Sequence, residues 1–233
     1  MNTLVGRVQT TLTGRALSYT RPGSYSAISK TSVTGPVWVH ETGLANDEQG
    51  DRRVHGGPDK AVHVYSSEHY PFWRDELGAL PLLSTPGAFG ENLSTQGVTE
   101  TNTCLGDRLR IGSVLLEVSQ SRQPCWKLND RFAVPDMAQR VQQTLRTGWY
   151  CRVLETGNLQ SGDDIVLTAR PYPDWTLWRI AEILYVRPLD RALLIELHAL
   201  PLVSSWRRLV ENRLTSGKVE SWATRIEGPI SRA

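Results

Sequence analysis

The sequence predicts a mainly β fold, a closed barrel with a few peripheral helices, followed by a small C-terminal unit of three helices. Short β-rich runs recur from Val5 to Ala169. Gly and Pro pairs punctuate them, at Gly35-Pro36, Gly56-Gly57-Pro58, Pro86-Gly87 and Gly112-Ser113. Many short strands with such turns suit a barrel or closed sandwich. Beyond Pro171-Tyr172-Pro173 the apolar spacing becomes helical.

The expected strands are Val5–Val8, Ala27–Val33, Val37–His40, Ala61–Tyr65, Arg108–Ile111, Val114–Ser119 and Ile165–Ala169. Two helices should interrupt them. One runs from near Ser67 toward Leu77, with Ser66 or Ser67 as cap, and the other spans Met137–Thr147, with Asp136 as cap. In the C-terminal unit, Asp174 can cap a helix carrying Leu177, Ile180, Ala181 and Leu184 at i, i+3, i+4, i+7. Asp190 can cap a second carrying Leu193 and Leu197, and Ser204 a third carrying Trp206, Leu209, Val210 and Leu214. The expected domains are therefore 1–171 and 172–233. Helices this short are marginal alone in water. The unit should dock on the barrel or on a second subunit, and narrow access to the site rather than build it.

A chain of 233 residues with 39% hydrophobic and 21% charged residues has an ordinary globular balance, enough for one sizeable domain and an appendage. The net charge of +2 and the lack of a dense Lys/Arg run argue against a nucleic-acid partner. No segment has signal-peptide or membrane-span character, so no membrane role is expected and a cytoplasmic location is the default. Three cysteines, Cys104, Cys125 and Cys151, form no CxxC pair. That spacing disfavours a disulfide framework, a zinc site or an iron–sulfur cluster.

Cys125 is the first candidate for chemistry. It follows a predicted strand and a turn at Pro124, between Arg122 and Lys127. Nearby cations favour the thiolate, the form that a soft metal or a nucleophilic reaction needs. A free cysteine is also commonly a small buried hydrophobe. Asp51-Arg52-Arg53-Val54-His55-Gly56-Gly57-Pro58-Asp59-Lys60 is the second. Its glycines permit close approach to a ligand or an anion-binding nest, with His55 and Lys60 beside them, and a plain tight turn is the competing reading. Pro86-Gly87-Ala88-Phe89-Gly90-Glu91-Asn92 is a constrained loop in which Asn92 can face a polar ring. Lys30 can point inward to an anion or outward to solvent. His63 and His69 read as structural.

Taken together these motifs resemble the MOSC family, β-barrel proteins that bind molybdenum cofactor, and within it the YiiM-type branch. Ser26–Lys30, Val54–Ala61, Phe89–Leu93, Gly106-Asp107 and Arg122–Cys125 match that branch in order, and Ser216–Glu220 is similar to its three-helix extension. The resemblance covers essentially the whole chain. Two departures stand out: Asn46-Asp47 replaces the usual Gly-Asp, and Ser121 replaces the Pro commonly found before the motif arginine.

The resemblance implies that Cys125 ligates molybdenum, with Arg122 and His55 as its catalytic companions. It implies that Lys30, Gly56, Gly57, Lys60, Asn92, Arg122, Lys127 and Asn129 hold the molybdopterin. Lys30, Lys60 and Arg122 should then converge on one pocket. It further implies reduction of N-hydroxylated compounds, such as N-hydroxylated purines or hydroxylamines, with electrons from a separate reductase. A homodimer is compatible with it. A carrier of the cofactor without turnover is the main alternative, and a cofactor-free thiol enzyme using Cys125 with His55 is a third.

Overall fold

Residues 2–50 and 56–228 are described by the computed structural model. Seven strands close a barrel in the order Thr3–Thr13, Leu93–Gln96, Val62–Ser66, Trp149–Glu155, Val114–Ser121, Arg108–Ile111 and Asp164–Ala169, which pairs back onto Thr3–Thr13. All neighbours are antiparallel except Val62–Ser66 with Leu93–Gln96. That parallel pair needs a crossover, and the helix His69–Leu77 lies within it. Alternation along the strands fills the barrel. Val62, Val64, Leu116, Val118, Trp149, Cys151 and Ile165 are among its buried lining.

A second core lies outside the barrel wall. Phe89 stacks on Tyr65 at 4.1 Å between ring centroids, and Tyr70, Trp73, Leu128, Phe132, Met137 and Val141 complete it. A third joins the helices Leu177–Tyr185, Arg191–His198 and Ser204–Ser216 around fully buried Trp206. This helical part is fused to the barrel. Leu177 belongs to the barrel core, Leu105 of the barrel side belongs to the helical core, and Leu177 N donates to Thr103 O at 2.9 Å.

Several sequence expectations are corrected. Ala27–Val33 is not one strand: Tyr25–Ser26 and Thr31–Ser32 flank an irregular stretch. That irregularity turns Lys30 inward to an ion pair with Asp47. The first helix starts at His69 with no side-chain cap, since Ser66 Oγ instead accepts from Glu68 N at 3.3 Å. The Met137 helix ends at Gln143, and Leu145 adopts a left-handed φ of 57° that stops it. Asp136 sits at its cap position but accepts from Arg140 Nε at 3.0 Å. Thr176, not Asp174, caps the next helix, accepting from Arg179 N at 3.2 Å. Asp190 does cap its helix through Leu193 N, whereas Ser204 is already inside its own. The strands Leu93–Gln96 and Trp149–Glu155, the helix Lys127–Phe132 and a final turn Ala223–Ile226 were not anticipated.

Glu100 ties these layers together. It is 1% exposed, its Oε2 meets His69 Nε2 at 2.6 Å, and its Oε1 accepts from Gly148 N at 2.7 Å. Gly148 has φ 69°, and a Cβ there would lie 2.6 Å from Val64 O. Glu100→Ala strands both of these nitrogens without a partner. The expected loss is about 3 kcal/mol, at roughly 1–3 kcal/mol per orphaned buried group, measured as a drop in urea unfolding free energy.

Candidate functional site

The strand Val114–Ser121 delivers the Arg122–Cys125 loop to one end of the barrel. Arg122 N donates to Gly148 O at 2.9 Å, which pins the loop to the neighbouring strand. Leu128 N then donates to Cys125 O at 2.9 Å and the chain enters the helix Lys127–Phe132. Cys125 thus sits between strand end and helix start, 8% exposed.

Its thiol borders a narrow pocket of about 80 Å³ also lined by Lys30, Asp47, Lys60, His63, Asn92, Arg122, Lys127 and Tyr150. Lys30, Lys60 and Arg122 converge there, as expected. Burial lowers the Lys30 pKa, against the attraction of Asp47. Burial also lowers the Lys60 pKa, against the attraction of Cys125 and then Asp59. Tyr150 is pushed up by burial, an effect that Arg122 opposes by charge and by a side-chain hydrogen bond.

Asp47 organises the pocket wall. Its Oδ1 pairs with Lys30 Nζ and accepts from Gly14 N at 2.8 Å, and its Oδ2 accepts from Asn92 Nδ2 at 2.8 Å. The preceding Asn46 has φ 64°, the left-handed conformation that Gly and Asn both tolerate. The departure at Asn46 therefore leaves the turn intact. Glu91 shapes the Phe89 loop from within, accepting from Gly87 N at 2.7 Å, Phe89 N at 3.1 Å and Tyr70 OH at 2.6 Å. That curl presents Asn92, whose Oδ1 accepts from His63 N at 3.1 Å.

Not every expected residue reaches the pocket. Asn129 does not line it. Its Nδ2 donates to Ile226 O at 2.8 Å and its Oδ1 accepts from Ala138 N at 2.7 Å, so the amide is spent on joining three segments. Gly56 and Gly57 do not line it either. Gly57 opens the 3₁₀ turn Pro58–Lys60, in which Lys60 N folds back to Gly57 O at 3.0 Å. His55 lies outside the described residues. Asp47, His63 and Tyr150 were not among the expected site residues, although the aromatic β-rich run Trp149-Tyr150-Cys151 carried a signal for a strand there.

His63 is a distinct feature of the floor. Its Nδ1 lies 3.2 Å from Gly90 O, which can only accept, so Nδ1 carries the proton. Its Nε2 and the Nη1 of Arg122 are buried and unpartnered among the described residues. Burial, then the Arg122 charge, pushes the His63 pKa well below the usual histidine value. The unfolded chain therefore binds a proton below about pH 6.5 that the folded protein refuses, and stability is lost as pH falls. Between pH 6.5 and 5 the contribution is up to about 1.4 kcal/mol per pH unit. Urea titrations should show that slope reduced in His63→Gln.

A second cavity of about 740 Å³ adjoins the first, and Gly50, Lys60, Cys125, Lys127 and Tyr150 border both. The turn Ala223–Ile226 forms part of its wall through Thr224 and Arg225. Arg225 donates through Nη1 to Pro124 O and through Nη2 to Gln142 Oε1 at 2.6 Å. Trp126 N donates to Arg225 O at 2.8 Å. The residues on both sides of Cys125 are thus held by Arg225. Arg225→Ala should lower the melting temperature modestly and speed alkylation of Cys125 relative to Cys104 and Cys151, read by mass spectrometry of the folded protein.

Of the three thiols, none of them in a disulfide among the described residues, Cys125 alone borders these cavities. Burial raises the pKa of both Cys151 and Cys104. Among the described residues no group of three or more His, Cys, Asp or Glu could hold a metal ion. No described helix is long and apolar enough to cross a membrane.

Comparison with known proteins places this geometry. The MOSC domain model matches residues 51–166, and the YiiM-like 3-alpha helix domain model matches residues 175–217. Protein YiiM of Escherichia coli is 40% identical over 93% of this chain and 96% of its own length. The chain belongs to the MOSC family, in its YiiM-type branch. Solved structures of two YiiM proteins share this fold over nearly the whole chain. The Escherichia coli YiiM structure has a TM-score of 0.79 with 33% identity, covering 95% of this chain and 99% of that one. YiiM from Geobacillus stearothermophilus gives 0.77 with 33% identity, covering 90% and 99%. A longer protein named reductase, from Gibberella moniliformis, is 43% identical over 82% of this chain, and the match spans 34% of that protein.

Proposed function

We propose that this MOSC protein binds molybdenum cofactor through Cys125 and reduces N-hydroxylated compounds. The observation that carries the reading is the placement of one thiol beside Lys60 and Arg122 where two cavities meet. The donor set fits the cofactor. A thiolate suits a soft metal already held by sulfur, and the orphaned Arg122 Nη1 and His63 Nε2 are a buried donor and acceptor beside it. Lys30, Lys60, Asn92, Arg122 and Lys127 would hold the pterin and its phosphate. When bound, the cofactor supplies a metal that cycles between oxidation states two electrons apart.

The balance is R–NHOH plus two electrons and two protons giving R–NH2 and water. The N–O bond breaks, and the electrons come from a separate reductase protein. Lys60 is suited to hold a proton near the departing hydroxyl, since burial eases its release. The wide cavity beside the thiol favours turnover over mere carriage of the cofactor.

Cys125→Ser should remain folded, lose molybdenum, and lose N-hydroxyl reduction with an artificial electron donor by at least a hundredfold. Cys104→Ser and Cys151→Ser should keep both. A Cys125→Ser protein that turns over normally removes the metal-thiolate reading.

A further inference from the structure

We propose that a third cavity is a regulatory site for an uncharged flat ring bearing a carboxamide, and that its occupant tightens the loop carrying Cys125. The cavity holds about 420 Å³. It lies between the helix Met137–Gln143, the end of the helix Leu177–Tyr185 and the turn Ala223–Ile226. It shares no lining residue with either cavity at Cys125. The assignment goes beyond the reaction proposed above and does not depend on it.

Gln142, in the cavity wall, is 4% exposed, and its Oε1 accepts from Arg225 Nη2 at 2.6 Å. Arginine only donates, so the oxygen faces Arg225 and the Nε2 donor is directed elsewhere. Among the described residues no hydrogen bond uses that Nε2. A buried amide donor left over at a cavity wall is satisfied by a carbonyl oxygen that enters the cavity. Trp222 supplies a flat wall. Its Nε1 donates to Glu220 Oε1 at 2.7 Å, and its ring meets that of Tyr185 at 82° with centroids 5.9 Å apart. The indole is therefore set in place before a ligand arrives, and Val186 at the rim is 59% exposed. A planar ring covers both surfaces. Glu227 is the one charged side chain among the described residues that border the cavity, and it is exposed. Its carboxylate accepts from an amide N–H and repels another carboxylate. A flat face, a carbonyl acceptor and an adjacent N–H donor together describe an aromatic carboxamide.

The same Gln142 holds the thiol loop. Arg225 borders the chamber beside Cys125, its Nη1 donates to Pro124 O, and its backbone O accepts from Trp126 N at 2.8 Å. A ligand that fixes Gln142 fixes the acceptor of Arg225, and with it both neighbours of the thiol. Tyr185 makes a second link. Its hydroxyl is buried with no partner within hydrogen-bond distance among the described residues. Burial pushes the phenol up, against the Arg225 charge and the side chain of Gln123, which stands beside Pro124.

The probe is nicotinamide, with nicotinate as its anionic counterpart. Calorimetry on the full chain should show saturable nicotinamide binding and weaker nicotinate binding. Gln142→Glu keeps an acceptor for Arg225 and removes the donor. Nicotinamide affinity should then fall about tenfold, the cost of one unmatched hydrogen bond, with no drop in melting temperature. Ala223→Trp, at an exposed position, fills the cavity and should abolish binding. Modification of a buried thiol reports opening of the segment around it. Saturating nicotinamide should therefore slow alkylation of Cys125 by about fivefold or more, and Ala223→Trp should erase that slowing. Absence of saturable binding would overturn the site. So would tighter binding of nicotinate than of nicotinamide, or undiminished binding in both variants. Binding that leaves the alkylation rate unchanged would overturn the link to the thiol loop. None of these readouts uses N-hydroxyl reduction, so failure of that reaction leaves the site standing.

Discussion

A charge sealed against a barrel must be matched, and the Asp47 carboxylate does the matching here. It receives Lys30, Asn92 and the backbone of Gly14 at once, so three segments distant in sequence meet at one pair of oxygens. Taking one partner of such a buried pair away typically costs about 3–5 kcal/mol, because the other is left uncompensated. The wall of the narrow pocket, the inward turn of Lys30 and the presentation of Asn92 all depend on that carboxylate.

A second constraint acts on the backbone that flanks the thiol. The turn Ala223–Ile226 holds Pro124 and Trp126 through Arg225, and Asn129 through Ile226 O. It is itself anchored to the helices: Trp222 packs edge-on against Tyr185 at 5.9 Å, and Glu220 accepts from fully buried Arg213. Barrel and helical part are therefore one mechanical unit around Cys125. The thiol loop is short and unremarkable in itself, and its geometry comes from what surrounds it.

Much of this was legible in the sequence because local chemistry and global fold agree. Alternation exposed the strands around Val62–Ser66 and Val114–Ser121, and the cations flanking Cys125 marked the thiol. Asn129 was misplaced because a family motif gives proximity in sequence, while the direction of a side chain is decided by long-range partners such as Ile226. Asp47 was noticed only as a departure beside a turn. Its importance comes from Lys30 and Asn92, 17 and 45 residues away. The Trp149–Glu155 strand was missed although its aromatic start carried a local signal, and the point where it begins is set by Gly148 passing close to Val64, a tertiary contact. The C-terminal turn was missed because four residues are too few to show a period.

The hold of Arg225 and Ile226 on the thiol loop also orders events in time. Domains tend to fold as they emerge during synthesis, N-terminal parts first. The first strand of this barrel pairs with the last, Thr3–Thr13 with Asp164–Ala169, so closure waits until most of the chain exists. Cys125 waits longer still, because the segment that steadies its flanks lies about a hundred residues downstream. A ribosome-bound chain therefore carries its key thiol in an unfinished setting. The finished setting of Cys125 forms only once the barrel has closed and joined its helices.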